Sequence, residues 1–216
     1  MDQRKAGTGY LALPETGSGP GVLVLHAWWG LTPFFKSLCD RLAAEGFVAL
    51  APDLYAGEIA ASVEEAEALL AGTDPNELAH LTRSSLNHLR AMPLTPDAPV
   101  GVVGFSMGAS LALWLSARVP DVVASTTVFY GAQDIDFDEA TSSYLGHFAE
   151  VDPYVPDDEL VVLEANLIVQ GLEPEIYHYP GTHHWFFEDD RPEHDPEAAA
   201  LAWERTLEFL RRTLAA

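Results

Sequence analysis

Three short segments of this chain, Val22–Leu25, Val48–Leu50 and Val100–Phe105, carry no polar residue at any position. A strand with one face in water alternates apolar and polar residues, so strands without alternation are buried on both faces. Helical patterns separate them: about Pro33 to Glu45, then Ser62 to Leu70 and Asn76 to Ala91, then the apolar run ASLALWLSARV that follows the third strand. Gly46 stands where a helix ends on a left-handed glycine. Further strands are expected at Thr126–Tyr130, Tyr144–Ala149 and Glu175–Tyr179, with a helix over Asp157–Gln170. In the closing DPEAAALAWERTLEFLRRTL, Asp195 is an N-cap, Pro196 suits the first helical position, and Trp203, Leu207, Leu210 and Leu214 form one stripe. Alternating doubly buried strands and helices predict an α/β fold: a mainly parallel central sheet with helices on both faces, its ligand site at the carboxyl ends of the strands. With 216 residues and no linker or repeat, residues 1–216 are expected to form a single domain.

The formal charge of −22, from 33 acidic against 11 basic side chains, disfavours nucleic acid and anionic membrane as partners, since both require a positive footprint. Most of that charge is expected to be solvated surface. The opening MDQRKAGTGY lacks the apolar core of a signal peptide, and no apolar run nears the roughly 20 residues needed to span a bilayer. The expected address is the cytoplasm, and the expected assembly a monomer or weak homodimer. Cys39, the only cysteine, excludes an internal disulfide and reads as a small buried hydrophobe of the helix holding Phe35, Leu38 and Leu42.

The third apolar strand ends on Gly104-Phe105-Ser106-Met107-Gly108. G-x-S-x-G between a buried strand and a buried helix is the pattern of a nucleophile elbow, in which a sharp turn lifts the serine above the sheet. The flanking residues must be small so that neighbouring backbone can approach, and the helix opening there offers free N–H groups and a positive dipole end to a developing oxyanion. The N–H of Met107 is one such donor, and a second is expected from the loop HAWWG. A serine nucleophile needs a base and the base an orienting acid, in the chain order serine, acid, histidine. The turn EVDPYVP offers Glu150 and Asp152, and PGTHHWFFED offers His183 and His184.

The blocks LHAWWGL, APDLYAG, GFSMG, VDPYVP, YPGTHHWFF and RPEHDPEAAALAWERTLEFL, in that order, resemble the dienelactone hydrolase family, a branch of the α/β-hydrolases, over nearly the whole chain. The resemblance implies an α/β-hydrolase fold, Asp152 as acid, His184 as base with His183 the lesser candidate, and the backbone N–H of Trp28 as the second oxyanion donor. It also exposes departures. Founding members attack with cysteine guarded by a glutamate, whereas this chain has Ser106, and Ala27 at the guard position. They grip a substrate carboxylate with arginines, one of whose positions matches Glu188, and no arginine lies between Leu54 and Thr82. The expected substrate is therefore a small neutral ester or lactone, cleaved through an acyl-enzyme in a pocket lined by Trp28, Trp29, Tyr130, Tyr154, Trp185 and Phe186. No cofactor and no metal is expected. Although HHWFFEDDRPEHD mixes imidazoles and carboxylates, its spacing matches no familiar zinc pattern. His26 and His147 read as structural. A non-catalytic ligand receptor on the same fold and an acyltransferase with the same triad are the alternatives.

Overall fold

The computed structural model describes residues 9–95 and 98–215. Most of the opening MDQRKAGTGY, up to Thr8, lies outside them. Seven strands form one sheet: β1 (Tyr10–Ala12), β2 (Gly21–Leu25), β3 (Val48–Ala51), β4 (Val100–Phe105), β5 (Val123–Phe129), β6 (Ser143–Val151) and β7 (Glu175–His183). Their spatial order is β1-β3-β2-β4-β5-β6-β7. Only β1, at the edge, runs antiparallel, against β3. Among the described residues six helices accompany the sheet: α1 (Pro33–Ala44), α2 (Val63–Gly72), α3 (Pro75–Ala91), α4 (Met107–Arg118), α5 (Asp157–Val169) and α6 (Pro196–Thr213).

The missing polar alternation of the central strands has the expected cause. Val22 and Val24 of β2 point into one core layer, shared with Phe35, Leu38 and Leu42 of α1 and Ala202 and Leu210 of α6. Leu23 and Leu25 point into the opposite layer, with Leu86 and Leu89 of α3, Ala109 and Leu113 of α4, and Leu163 and Leu167 of α5. From β2 the chain moves outward to β3 and then crosses back to β4, so the loops leaving β2 and β4 diverge and open a crevice at the strand ends. Two helix starts follow from their sequence. Asp195 Oδ1 accepts from the N–H groups of Glu197 and Ala198, and Asp74 Oδ1 from Asn76. Among the described residues no helix is long and apolar enough to cross a membrane.

β5 begins at Val123 and β6 runs to Val151, each longer than the sequence reading, and β1 and β7 depart further. β1 is new, its three residues too short to show a period. β7 continues beyond Tyr179 through Pro180 and Gly181 to His183, crossing a register shift opposite Ala149 and Val151.

His147 ties three elements together under the sheet. Thr206 Oγ1 of α6 donates to the Ala202 carbonyl at 2.8 Å, so the 3.0 Å contact with His147 Nε2 has the imidazole as donor. Arg205 donates to the Tyr179 hydroxyl at 3.1 Å, leaving that hydroxyl to donate to His147 Nδ1 at 2.8 Å. The ring is thus neutral and fully bonded, and burial, with Arg205 adding repulsion, pushes its pKa down to about 3. A base held below its unfolded value of 6.5 contributes stability that is complete above pH 6.5 and is lost as pH falls toward 3. The His147→Gln variant should be less stable than wild type at pH 7 but lose less on acidification, giving converging urea midpoints at pH 4.5.

Candidate active site

The turn between β4 and α4 is built from backbone contacts that admit no side chain. A Cβ on Gly104 would lie 2.2 Å from the Gly108 carbonyl oxygen, and one on Gly108 would lie 2.2 Å from that of Leu25. Between them Ser106 adopts φ +50°, a left-handed conformation that strains a residue with a side chain. Its N–H donates to Phe129 O at 3.0 Å, and its carbonyl accepts from Ala109 at 2.9 Å, so the strain is fixed from both sides. Its hydroxyl makes no helix-capping bond.

The partners arrive on two other strand ends. His184 is the first residue beyond β7 and is 2% exposed, whereas His183 faces solvent. Its Nε2 stands 3.0 Å from Ser106 Oγ and its Nδ1 2.7 Å from Asp152 Oδ2. Asp152 follows β6, and its other oxygen accepts the N–H groups of Tyr154 at 2.9 Å and Val155 at 3.1 Å. With those two donors on one oxygen and Nδ1–H on the other, Nε2 is left unprotonated toward the serine. Glu150 points elsewhere: it is exposed and accepts from the Gly181 N–H at 2.7 Å. The geometry therefore brings together Ser106, His184 and Asp152, and leaves His183 and Glu150 outside.

Met107 opens α4, where first-turn N–H groups have no partner within the helix. Close contact of Gly108 with Leu25 and His26 sets that turn against the loop carrying Trp28. His26 Nδ1 donates to Ala27 O at 2.7 Å, and its Nε2 accepts from the Leu54 N–H at 3.1 Å, so a neutral imidazole staples this loop to the one after β3. Burial holds its pKa down to about 4. The expected structural role of His26 is the position it occupies.

A cavity of about 260 Å³ opens beside Ser106 and His184. Trp28, Tyr130 and Tyr154 border it as expected, together with Leu70 of α2, Glu159 of α5, Val155 and the Gly131–Ala132 turn, which the sequence did not single out. Trp29, Trp185 and Phe186 do not reach it. They are buried in a layer behind, with Trp29 and Trp185 rings 5.1 Å apart and Phe186 against Tyr130 at 5.7 Å. The cause is a turn at Trp185, φ +68°, closed by the Glu188 N–H on Trp185 O, which folds the residues after His184 back under the site. A roomier groove of about 500 Å³, bordered by α5, β6 and β7, holds no serine or cysteine among its lining residues.

Comparison with known proteins places this architecture. The profile of the dienelactone hydrolase family matches residues 8–214. Protein usf of Aquifex pyrophilus is 34% identical over 95% of this chain and 93% of its own length. Carboxymethylenebutenolidase 1 of Cupriavidus pinatubonensis is 28% identical over 93% and 89%. The crystal structure of a dienelactone hydrolase-like promiscuous phosphotriesterase from metagenomic libraries superposes with a TM-score of 0.85 at 22% identity, covering 96% of this chain and 92% of that one.

One acid beneath the site is unusual. Glu188 is fully buried, and Tyr130 donates to its Oε1 at 2.7 Å while Oε2 has no partner. Burial raises its pKa to about 8, and the Tyr130 hydrogen bond and, after it, Arg191 offset only part of this. An acid held above its unfolded value contributes stability that is complete below about pH 4.5 and is lost as pH rises toward 8. Glu188→Gln keeps an acceptor for Tyr130 and removes the ionisation. Between pH 7 and 8, above the range in which His26 and His147 respond, its thermal midpoint should hold nearly steady, while that of wild type declines.

Proposed function

The chain belongs to the dienelactone hydrolase family, and we propose that it cleaves a small carboxylic ester or lactone without negative charge through an acyl-enzyme on Ser106. The observation that carries this reading is the unbroken run of hydrogen bonds from Ser106 Oγ through His184 to Asp152, at 3.0 and 2.7 Å, beside an open cavity.

Ser106 Oγ attacks the substrate carbonyl as His184 Nε2 takes its proton, and Asp152 steadies the imidazolium through Nδ1–H. The oxyanion is received by the N–H groups of Met107 and Trp28 at the positive end of α4. Collapse of the tetrahedral adduct returns the proton from Nε2 to the leaving oxygen, which departs as an alcohol from an ester or stays tethered in an opened lactone. A water deprotonated by His184 then attacks the acyl carbonyl and regenerates Ser106. With alanine at position 27, no carboxylate competes with His184 for the nucleophile's proton. An anionic substrate is disfavoured because Glu159 borders the cavity and no lysine or arginine is among its lining residues.

Ser106→Ala should abolish both fluorophosphonate labelling and hydrolysis of p-nitrophenyl acetate. Undiminished labelling of that variant would overturn the assignment. Asp152→Asn should reduce kcat on the order of 10⁴-fold, as in other triads, because an amide cannot accept from Nδ1–H and from two backbone N–H groups together. A loss below about tenfold would assign the acid role elsewhere.

A further inference from the structure

The cavity has a chemical polarity that an uncharged substrate leaves unused. Its outer corner is aromatic: Trp28, half-buried, meets Tyr154 edge to face at 5.4 Å, and Tyr154 is 41% exposed. Trp185 packs behind both, at 6.0 and 5.1 Å, so the two rings are held in place. Around this corner the charge is of one sign. Glu159 of α5 borders the cavity. Burial, and after it the carboxylates of Glu67 on α2, Glu193 and Asp152, raise the pKa of Tyr154, so the field at this ring is negative. Glu193 Oε2 is buried without a hydrogen-bond partner. The guanidinium of Arg191 cannot neutralise the corner from within, because it is stacked 4.1 Å over Trp29, outside the lining, and paired with Asp190 at 3.3 Å.

Aromatic faces in a negative field favour one class of ligand group, a cation, which is drawn to the negative face of each ring and to the acids at once. An ammonium is large enough to span the corner and needs no fixed hydrogen-bond geometry when fully alkylated. The overall charge of −22 raises the local concentration of any cation by the same sign rule.

Resting on the serine-hydrolase reading above, we propose that the preferred substrates are esters bearing an ammonium or quaternary ammonium group, seated between Trp28, Tyr154 and Glu159 while the carbonyl lies at Ser106. Water is the only co-reactant: the acyl–oxygen or acyl–sulfur bond breaks, the acid remains with one oxygen from water, and the cationic fragment leaves as its alcohol or thiol.

The test compares acetylthiocholine with 3,3-dimethylbutyl thioacetate, which has the same acyl group, leaving sulfur and bulk but no charge, by thiol release at low and high salt. The cation should show kcat/KM on the order of tenfold higher at low salt, consistent with a partly desolvated ring–cation contact, and the ratio should shrink in high salt. Glu159→Gln and Tyr154→Leu should each pull it toward one. Equal or faster turnover of the uncharged ester overturns this proposal and leaves the role of Ser106 standing. If neither thioester is cleaved, tetramethylammonium is tested as a competitive inhibitor of p-nitrophenyl acetate hydrolysis, and absence of competition likewise overturns it. Loss of all esterase activity together with unlabelled Ser106 removes the underlying reading instead, and this one with it.

Discussion

Everything at the site depends on how closely bare backbone can approach bare backbone around one serine. Gly108 lets α4 rest directly on the end of β2, and Gly104 lets β4 turn sharply enough to meet it. The close approach does three things at once. It holds Ser106 in a left-handed conformation, it starts α4, with its unpartnered first-turn N–H groups, at the next residue, and it presses that turn against the loop holding Trp28. None of these needs a further side chain, and none survives the addition of one methyl group at either glycine.

Around that turn, polar groups buried in the fold act as fasteners. His26 joins the loops after β2 and β3, while His147 joins β6, β7 and α6. Both work as neutral rings with one donor and one acceptor nitrogen on opposite sides of the ring. Glu188 is the opposite case: a single bond to Tyr130 secures one oxygen, and the other stays bare. The histidines penalise acid and the glutamate penalises base, so the scaffold around the site is best satisfied near neutrality. The same bond turns the Tyr130 hydroxyl onto Glu188, toward the protein interior, and Tyr130 also borders the cavity.

Much of this was legible in the residues because it obeys short-range rules. Strands buried on both faces lost their alternation, so β2, β3 and β4 announced themselves, and the serine between glycines marked the elbow. β1 was not legible, being shorter than any period. The extension of β7 was hidden because Pro180 and Gly181 read as a turn, whereas an edge strand tolerates both. The aromatic residues after His184 were legible as a group but not by direction, since only the left-handed turn at Trp185 decides that they pack behind the cavity. Leu70 and Glu159 come from helices far apart in the chain, and nothing local marks either as a neighbour of Ser106.

The pair of histidines at the end of β7 carries a matter of parity. Consecutive side chains on a strand face opposite sides, so of two adjacent imidazoles only one can look inward, and which one depends on whether an even or odd number of residues precedes it. From Tyr179 to His183 β7 advances four residues while β6 advances two, from Ala149 to Val151, and the alternation slips where Pro180 and Gly181 both face solvent. Regularise it by one residue and His183 inherits the inward place while His184 is handed to the solvent. The identity of the base is thus settled by a counting offset within β7 itself, a few residues ahead of the imidazole it selects.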